Sequence, residues 1–327
     1  MKVCPVEQLR LMRRRNYLQL LLALSIAFPS CKIRTTAYFN QVPPSDIPKL
    51  FSPDVVNTEG IELNVVFNSS FTEMFFSRIV DDSFIIHHSE LVAGNWTPVQ
   101  PLQMYPDSIT ISVACDPTIT QDGSTMYFLG VDPQNYANNI APEELYRIPP
   151  DIYVSKKVNE KWQQANKVEH PLSTKHFESY PLVVGDGSLY FQSNRPNGAG
   201  GRDTYRAQYL VNGKFETPVS INLNSDKNAA SSYINADEDY LITSTPKGFL
   251  VSFQESGKWQ VPVPLEMSYE KEWIYFCPYM SPDEKYFFFS RRYSGSSKNG
   301  WAGVTRGEVY WVRADAIFPL KSPPATD

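Results

Sequence analysis

Five stretches of this chain repeat one pattern, and that repetition restricts the fold more than any other feature of the sequence. Each has an apolar, proline-containing type of strand, a tight turn of Ser-Pro-Asp-Gly type and an aromatic strand. They run from Glu62 to Arg78, Cys115 to Phe128, Ser179 to Phe191, Ser232 to Ile242 and Cys277 to Arg291. Anchored on the turn residues Ser70, Asp122, Asp186, Asp237 and Asp283, the steps are 52, 64, 51 and 46 residues. The turn residue types follow from backbone chemistry. Asp or Ser bonds its own backbone, and a neighbour such as Gly accepts positive φ, so two strands join in few residues.

Each unit continues with a third strand and then a fourth marked by an aromatic residue. The first gives Phe84 to Ser89 and Trp96, the second Asp151 to Ser155 and Trp162, the third Asp203 to Ala207 and Phe215, the fourth Phe249 to Phe253 and Trp259. The fifth has its third strand, Glu308 to Val312, and no fourth after it. Ile47 to Asn57 resembles the exit of a fourth strand, as in Thr217 to Asn224. Pairing that N-terminal strand with the last unit closes a ring and removes a sheet edge. The expectation is therefore an all-β, five-bladed β-propeller over residues 37–320, with Leu50 beside Tyr310. Six blades remain open if Val131 to Pro150, read here as a loop insertion, holds an extra element. Residues 321–327 are read as a flexible tail.

Composition agrees with this reading. The 19 Tyr, 19 Phe and 6 Trp suit pleated surfaces stacked on one another, and 26 Pro argue against long helices. A net charge of -5 gives no electrostatic reason to expect nucleic acid as a partner.

The N-terminus reads as an export signal over residues 1–31. Arg13, Arg14 and Arg15 precede 11 mostly apolar residues, Leu18 to Phe28. That run is short of the roughly 20 residues needed to span a bilayer but suits a secretory signal. Met12, just before the arginines, is expected to be the native start. The run ends Phe28-Pro29-Ser30-Cys31, which resembles a bacterial lipoprotein signal with Cys31 as the lipidation site; cleavage after Ala27 is the alternative. Two or three acyl chains would hold the protein firmly on a membrane. Cys115 and Cys277 are expected to be small buried apolar residues in blades that do not touch.

The repeats resemble the TolB-like, WD-repeat-like propeller family. The residues that carry the likeness are Ser281 to Arg291, Ser193 to Tyr205 and the opening Ala37 to Pro44, and it extends over residues 37 to 318. The resemblance implies an extracytoplasmic binding or assembly platform, in the periplasm or at the outer membrane or cell surface. It also implies acidic residues before the proline of the first strand, here clear at Glu62 and Glu178.

No catalytic, cofactor or metal site is read from the sequence. Neither a Gly-x-Ser-x-Gly elbow nor a His-Glu-x-x-His pair is present. His87 and His88 are adjacent on a strand and must face opposite ways. His170 and His176 fall on the connection into the third blade. In the loop Ser193 to Asp203, Arg195 is expected to pair with Asp203, with Arg78–Asp82 and Arg291–Glu308 as equivalents. Trp96, Trp162 and Trp259 repeat at one position and are packing residues. Trp273 and Trp301 break that pattern and, with Glu62 and Glu178, are the candidate ligand surface. The expected function is a monomeric, membrane-tethered module that binds an envelope protein, peptide or glycan. The alternative is a hydrolase or lyase of peptide or polysaccharide with its site in the central channel.

Overall fold

The aromatic second strands are apolar on both faces, so they are stable only when both are covered. Met74, Phe75, Phe76, Phe128 and Phe287 have no exposed surface at all. In the computed structural model, which describes residues 38–81, 83–105, 113–131, 149–198, 201–223, 232–293 and 304–318, that cover comes from neighbouring sheets. Apart from 3-10 turns at Ala314–Ala316 and at Tyr38, the described secondary structure is all strand.

The strands form five antiparallel units in chain order. Unit 1 consists of Ile61–Phe67, Glu73–Val80 and Ser83–Val92, with Asn95–Trp96 and Gln100–Pro101 on its outer edge. Unit 2 holds Ala114–Ile119, Thr125–Gly130 and Asp151–Val158, edged by Lys161–Trp162 and Asn166–Lys167. Unit 3 is Glu178–Val183, Leu189–Ser193, Asp203–Ala207 and Val219–Ser220. Unit 4 is Ser232–Ile234, Tyr240–Thr245 and Gly248–Glu255, edged by Lys258–Trp259 and Val263–Pro264. Unit 5 is Trp273–Met280, Tyr286–Tyr293 and Gly307–Arg313. Its outer strand is Lys49–Leu50, in the register Lys49↔Trp311 and Leu50↔Tyr310, as the sequence predicts.

Apolar clusters join each unit to the next. Phe75 packs with Phe128 between units 1 and 2, and Ile152 with Phe191 between units 2 and 3. Tyr190 packs with Leu241 between units 3 and 4, and Phe249 with Phe287 between units 4 and 5. Phe76 and Phe67 meet Phe288 and Trp311 between units 5 and 1. The sheets thus follow one another face to face back to the first, which is a β-propeller. Residues 132–148, where a sixth unit was considered, lie outside the described residues.

The segment ahead of unit 1 locks the closure with more than a strand. Tyr38 lies within 5.1–6.2 Å, ring centre to ring centre, of Phe67, Phe71, Tyr286, Phe288 and Trp311. Buried Asn57 then continues the ladder with its side chain. Its Nδ2 donates to Val309 O at 2.9 Å and to Phe51 O, and its Oδ1 accepts from Val309 N at 2.8 Å. The amide satisfies Val309 N and shares Val309 O with Phe51 N, which donates to it at 2.9 Å.

Candidate functional site

The first strand of four units breaks its register at the same place. Pairing slips between Leu63 and Val66, Cys115 and Thr118, Ser179 and Leu182, and Phe276 and Tyr279. At each slip the first unpaired residue is left-handed: Asn64 (φ 58), Asp116 (φ 54), Tyr180 (φ 49) and Cys277 (φ 47). None of these is a glycine, so each conformation costs on the order of 1–3 kcal/mol, and such strain collects at sites where a side chain must be aimed. In three cases the next residue is a proline (Pro117, Pro181, Pro278), which has no N–H to offer the ladder and suits a bulge. Unit 4 keeps regular pairing over Ser232–Ile234.

Serines of the preceding unit hold two of these bulges. Asn64 N donates to Ser290 Oγ of unit 5 at 2.9 Å, and Asp116 N donates to Ser77 Oγ of unit 1 at 3.3 Å. Both serines sit in the repeated Phe-Phe-Ser-Arg motif and are buried. The motif therefore packs its aromatics between units and uses its hydroxyl to fix the neighbour's bulge.

The four bulge residues line a cavity of about 450 Å³ bounded by the first strands of all five units. Its walls include Val66, Leu182, Ile234 and Met280, with Tyr180, Tyr233 and Tyr279 among them. Around the turns that follow the first strands stand Asp237, Asp239, Asp283 and Glu284, all exposed. No lysine, arginine or histidine occurs among the described lining residues.

Asp116 is the charged group at the bulge level, and it is 6% exposed. Asn64 Nδ2 donates to its Oδ1 at 3.0 Å; the thiols of Cys115 and Cys277 lie 3.8 Å from Oδ2 and 3.9 Å from Oδ1. Burial disfavours its ionised form more than these donors favour it, so its pKa is pushed up to about 6. Burial, with Asp116 beside them, pushes both thiols well above the ordinary cysteine range. The Tyr180 phenol is raised by burial and by Asp116, Cys277 and Cys115, against an opposing contribution from Arg202.

This corrects the expectation that Cys115 and Cys277 lie in blades that do not touch. Units 2 and 5 are not successive, but their first strands converge at the axis, where both cysteines join Leu63, Phe84, Leu129 and Phe276 in one buried cluster.

Glu62 and Glu178 present no ligand surface, since each is 0% exposed. Arg78 Nε pairs with Glu62 at 3.0 Å and Arg195 Nη2 pairs with Glu178 at 3.0 Å. Thr58 and Thr174, each four residues before the acid, donate to them at 2.6 and 2.7 Å. The pairing of Arg195 is thus with Glu178, on the unit's own first strand, and not the expected closure on Asp203. Glu62 takes the place foreseen for Asp82, which lies outside the described residues. Arg291 and Glu308 do pair, at 2.9 Å. The repeated Thr-x-x-x-Glu spacing was the legible signal for the first two pairs.

Trp273 is half-buried. The Arg291 guanidinium lies 3.9 Å from its ring centre and 4.2 Å from that of Tyr310, so this indole face is already occupied from within the unit. Trp301 and Cys31 lie outside the described residues. Trp96, Trp162 and Trp259 occupy equivalent outer-edge positions, in keeping with packing roles. His87 and His88 face opposite ways, stacked on Phe76 and Phe75 respectively. Burial lowers the pKa of both. Among the described residues no three His, Cys, Asp or Glu side chains are placed to hold a metal ion.

No protein-family model matches the sequence, and no curated protein matches it. Solved structures similar to it include TolB from Acinetobacter baumannii (13% identity, TM-score 0.43, 80% of this chain and 59% of that one). The periplasmic gluconolactonase PpgL from Pseudomonas aeruginosa is another (10%, TM-score 0.43, 71% and 65%). A third is a putative TolB from Agrobacterium tumefaciens (11%, TM-score 0.45, 80% and 92%). The chain spans less than two thirds of the first two. The propeller assignment rests on the strand pairing and on the apolar clusters that join the units.

Proposed function

We propose that this protein is an exported, membrane-tethered binding module whose ligand enters the axial cavity. The observation that carries the reading is the ring of non-glycine bulge residues, Asn64, Asp116, Tyr180 and Cys277, turned into one cavity by four separate strands. Strain repeated at equivalent places has a use, and here it brings together an amide, a carboxyl, a phenol and a thiol that regular strands would not aim at one point. A volume of about 450 Å³ accommodates a few residues of an extended peptide or one or two sugar rings. The basic flank and apolar run ahead of Cys31 support export and a lipid tether.

A second reading is favoured by one observation. A carboxyl with a pKa of about 6 beside a phenol is placed for acid–base work on a peptide or polysaccharide. Binding is preferred because burial raises the two thiols among the described residues at the cavity away from thiolate.

The test compares the mature protein with an Ala236→Trp variant, in which an indole at the half-buried mouth obstructs the cavity. Binding to peptide and glycan arrays should be lost in the variant while its unfolding transition is unchanged. Equal binding by both proteins would move the ligand site elsewhere. Turnover of an array member, abolished by Asp116→Asn, would establish the second reading instead.

A further inference from the structure

We infer that the axial cavity is selective for a cationic group, the ammonium or guanidinium of a lysine or arginine side chain. The inference deepens the proposed function and rests on the cavity being the binding site. Two independent observations lead to it. The first is the composition of the wall: Asp237, Asp239, Asp283 and Glu284 at the mouth, Asp116 within, and no basic residue among the described lining. Asp283 is paired at the rim with Lys285, at 3.1 Å, while Asp237, Asp239 and Glu284 form no ion pair among the described residues, so the carboxylates leave a net negative potential in a concave, partly apolar space.

The second is Asp116 itself. Three buried glutamates elsewhere in the molecule are each matched: Glu62 by Arg78, Glu178 by Arg195 and Glu308 by Arg291. Asp116 is as deeply buried and faces the cavity, yet its neighbours are the Asn64 amide and two thiols. An ionised carboxylate in such a place lacks a counter-ion, which the fold supplies to those three and here leaves to whatever enters. Tyr180, Tyr233 and Tyr279 add aromatic surface against which an alkylammonium or guanidinium is stable. An anion or a neutral sugar would leave Asp116 uncompensated.

A cation that pairs with Asp116 holds it ionised, so binding displaces the proton the empty site carries at low pH. The groups that face Asp116 are Asn64, Cys115, Cys277 and Tyr180, and Arg202 and Arg292 both interact electrostatically with Tyr180. The thiols and the phenol stay neutral well above the range concerned, so Asp116 alone sets the response there. With its pKa at about 6, lowering the pH from 7.5 to 5 should weaken binding about tenfold.

The experiment titrates the mature protein calorimetrically with N-acetyl-lysine amide, N-acetyl-arginine amide, their neutral near-isostere N-acetyl-norleucine amide, N-acetyl-glutamate amide, and calcium chloride. Expected is a preference of about tenfold or more for the cationic amides over norleucine at pH 7.5, reduced by salt. Asp116→Asn should abolish the pH dependence, and Asp237→Asn, at the exposed mouth, should weaken only the salt dependence. Binding of the norleucine or glutamate amide in preference to the cations overturns the inference and leaves the cavity as a binding site. Calcium competing through Asp116 overturns it in favour of an inorganic site. If no amide binds and the Ala236→Trp protein retains every array partner, the proposed function itself falls.

Discussion

Two sets of buried carboxylates in this propeller are treated in opposite ways. Glu62, Glu178 and Glu308 sit within single units, each gripped by an arginine, and the first two also by a threonine hydroxyl. Asp116 sits between units, on a left-handed residue at the axis, with an amide and two distant thiols for company. In the first set, acid and base arise from strands of one sheet, so each unit can balance its own charge. At the axis several units meet, and no described lysine or arginine forms an ion pair with Asp116. The contrast separates carboxylates that serve the fold from one that serves the cavity.

The largest expected effect comes from unbalancing a matched pair. Arg195→Met leaves Glu178 charged, buried and unpaired, and should lower unfolding stability in urea by about 3–5 kcal/mol. A Glu178→Gln, Arg195→Met double variant should regain a large part of that loss. If the double variant is no better than the single, Glu178 is not held by charge and the contrast weakens.

Neutralising the unmatched acid should do the reverse. The native pKa of Asp116, about 6, lies above the 3.8 of an unperturbed aspartate. Between those values the native state keeps a proton that the unfolded chain has released. Stability therefore declines as pH rises from about 4 to 6 and is unaffected by this group outside that window. Asp116→Asn should accordingly raise stability by roughly 2–3 kcal/mol at pH 7.5 and by nothing at pH 4, read from paired denaturation curves. A loss at pH 7.5 would mean the carboxylate is compensated after all.

The smallest change expected is at the clasp. Ser77→Ala removes the hydroxyl that accepts from Asp116 N, and should cost about 1 kcal/mol. Because the same hydroxyl holds the bulge, it should also reduce discrimination between lysine and norleucine amides in the cavity. A stability change with unaltered selectivity would confine Ser77 to a packing role.

Much of the fold was legible because it is written locally and repeated. The Ser-Pro-Asp-Gly turns, the aromatic second strands and the tryptophans at Trp96, Trp162 and Trp259 each depend on neighbours a few residues away, and the structure places them as the repeat predicts. The closing strand was legible for a related reason: unit 5 lacks a fourth strand and Ile47 to Asn57 resembles one. Less of the site could be read. The prolines Pro117, Pro181 and Pro278 mark where first strands break register, but nothing local says that the residue before each turns toward a common axis. Glu62 and Glu178 stood out as acids on first strands, yet whether such an acid faces a ligand or an arginine depends on a partner 16 or 17 residues away.

Sequence alone determined the strand order, the turn positions and the N-terminal closure, because hydrophobic alternation and turn chemistry act over a handful of residues. The tertiary structure decided which carboxylates are neutralised, that Cys115 and Cys277 share one cluster, and that four bulges open on one cavity. Those outcomes depend on how five first strands converge, and residues that meet at an axis can be separated by most of the chain, as Asn64 and Cys277 are.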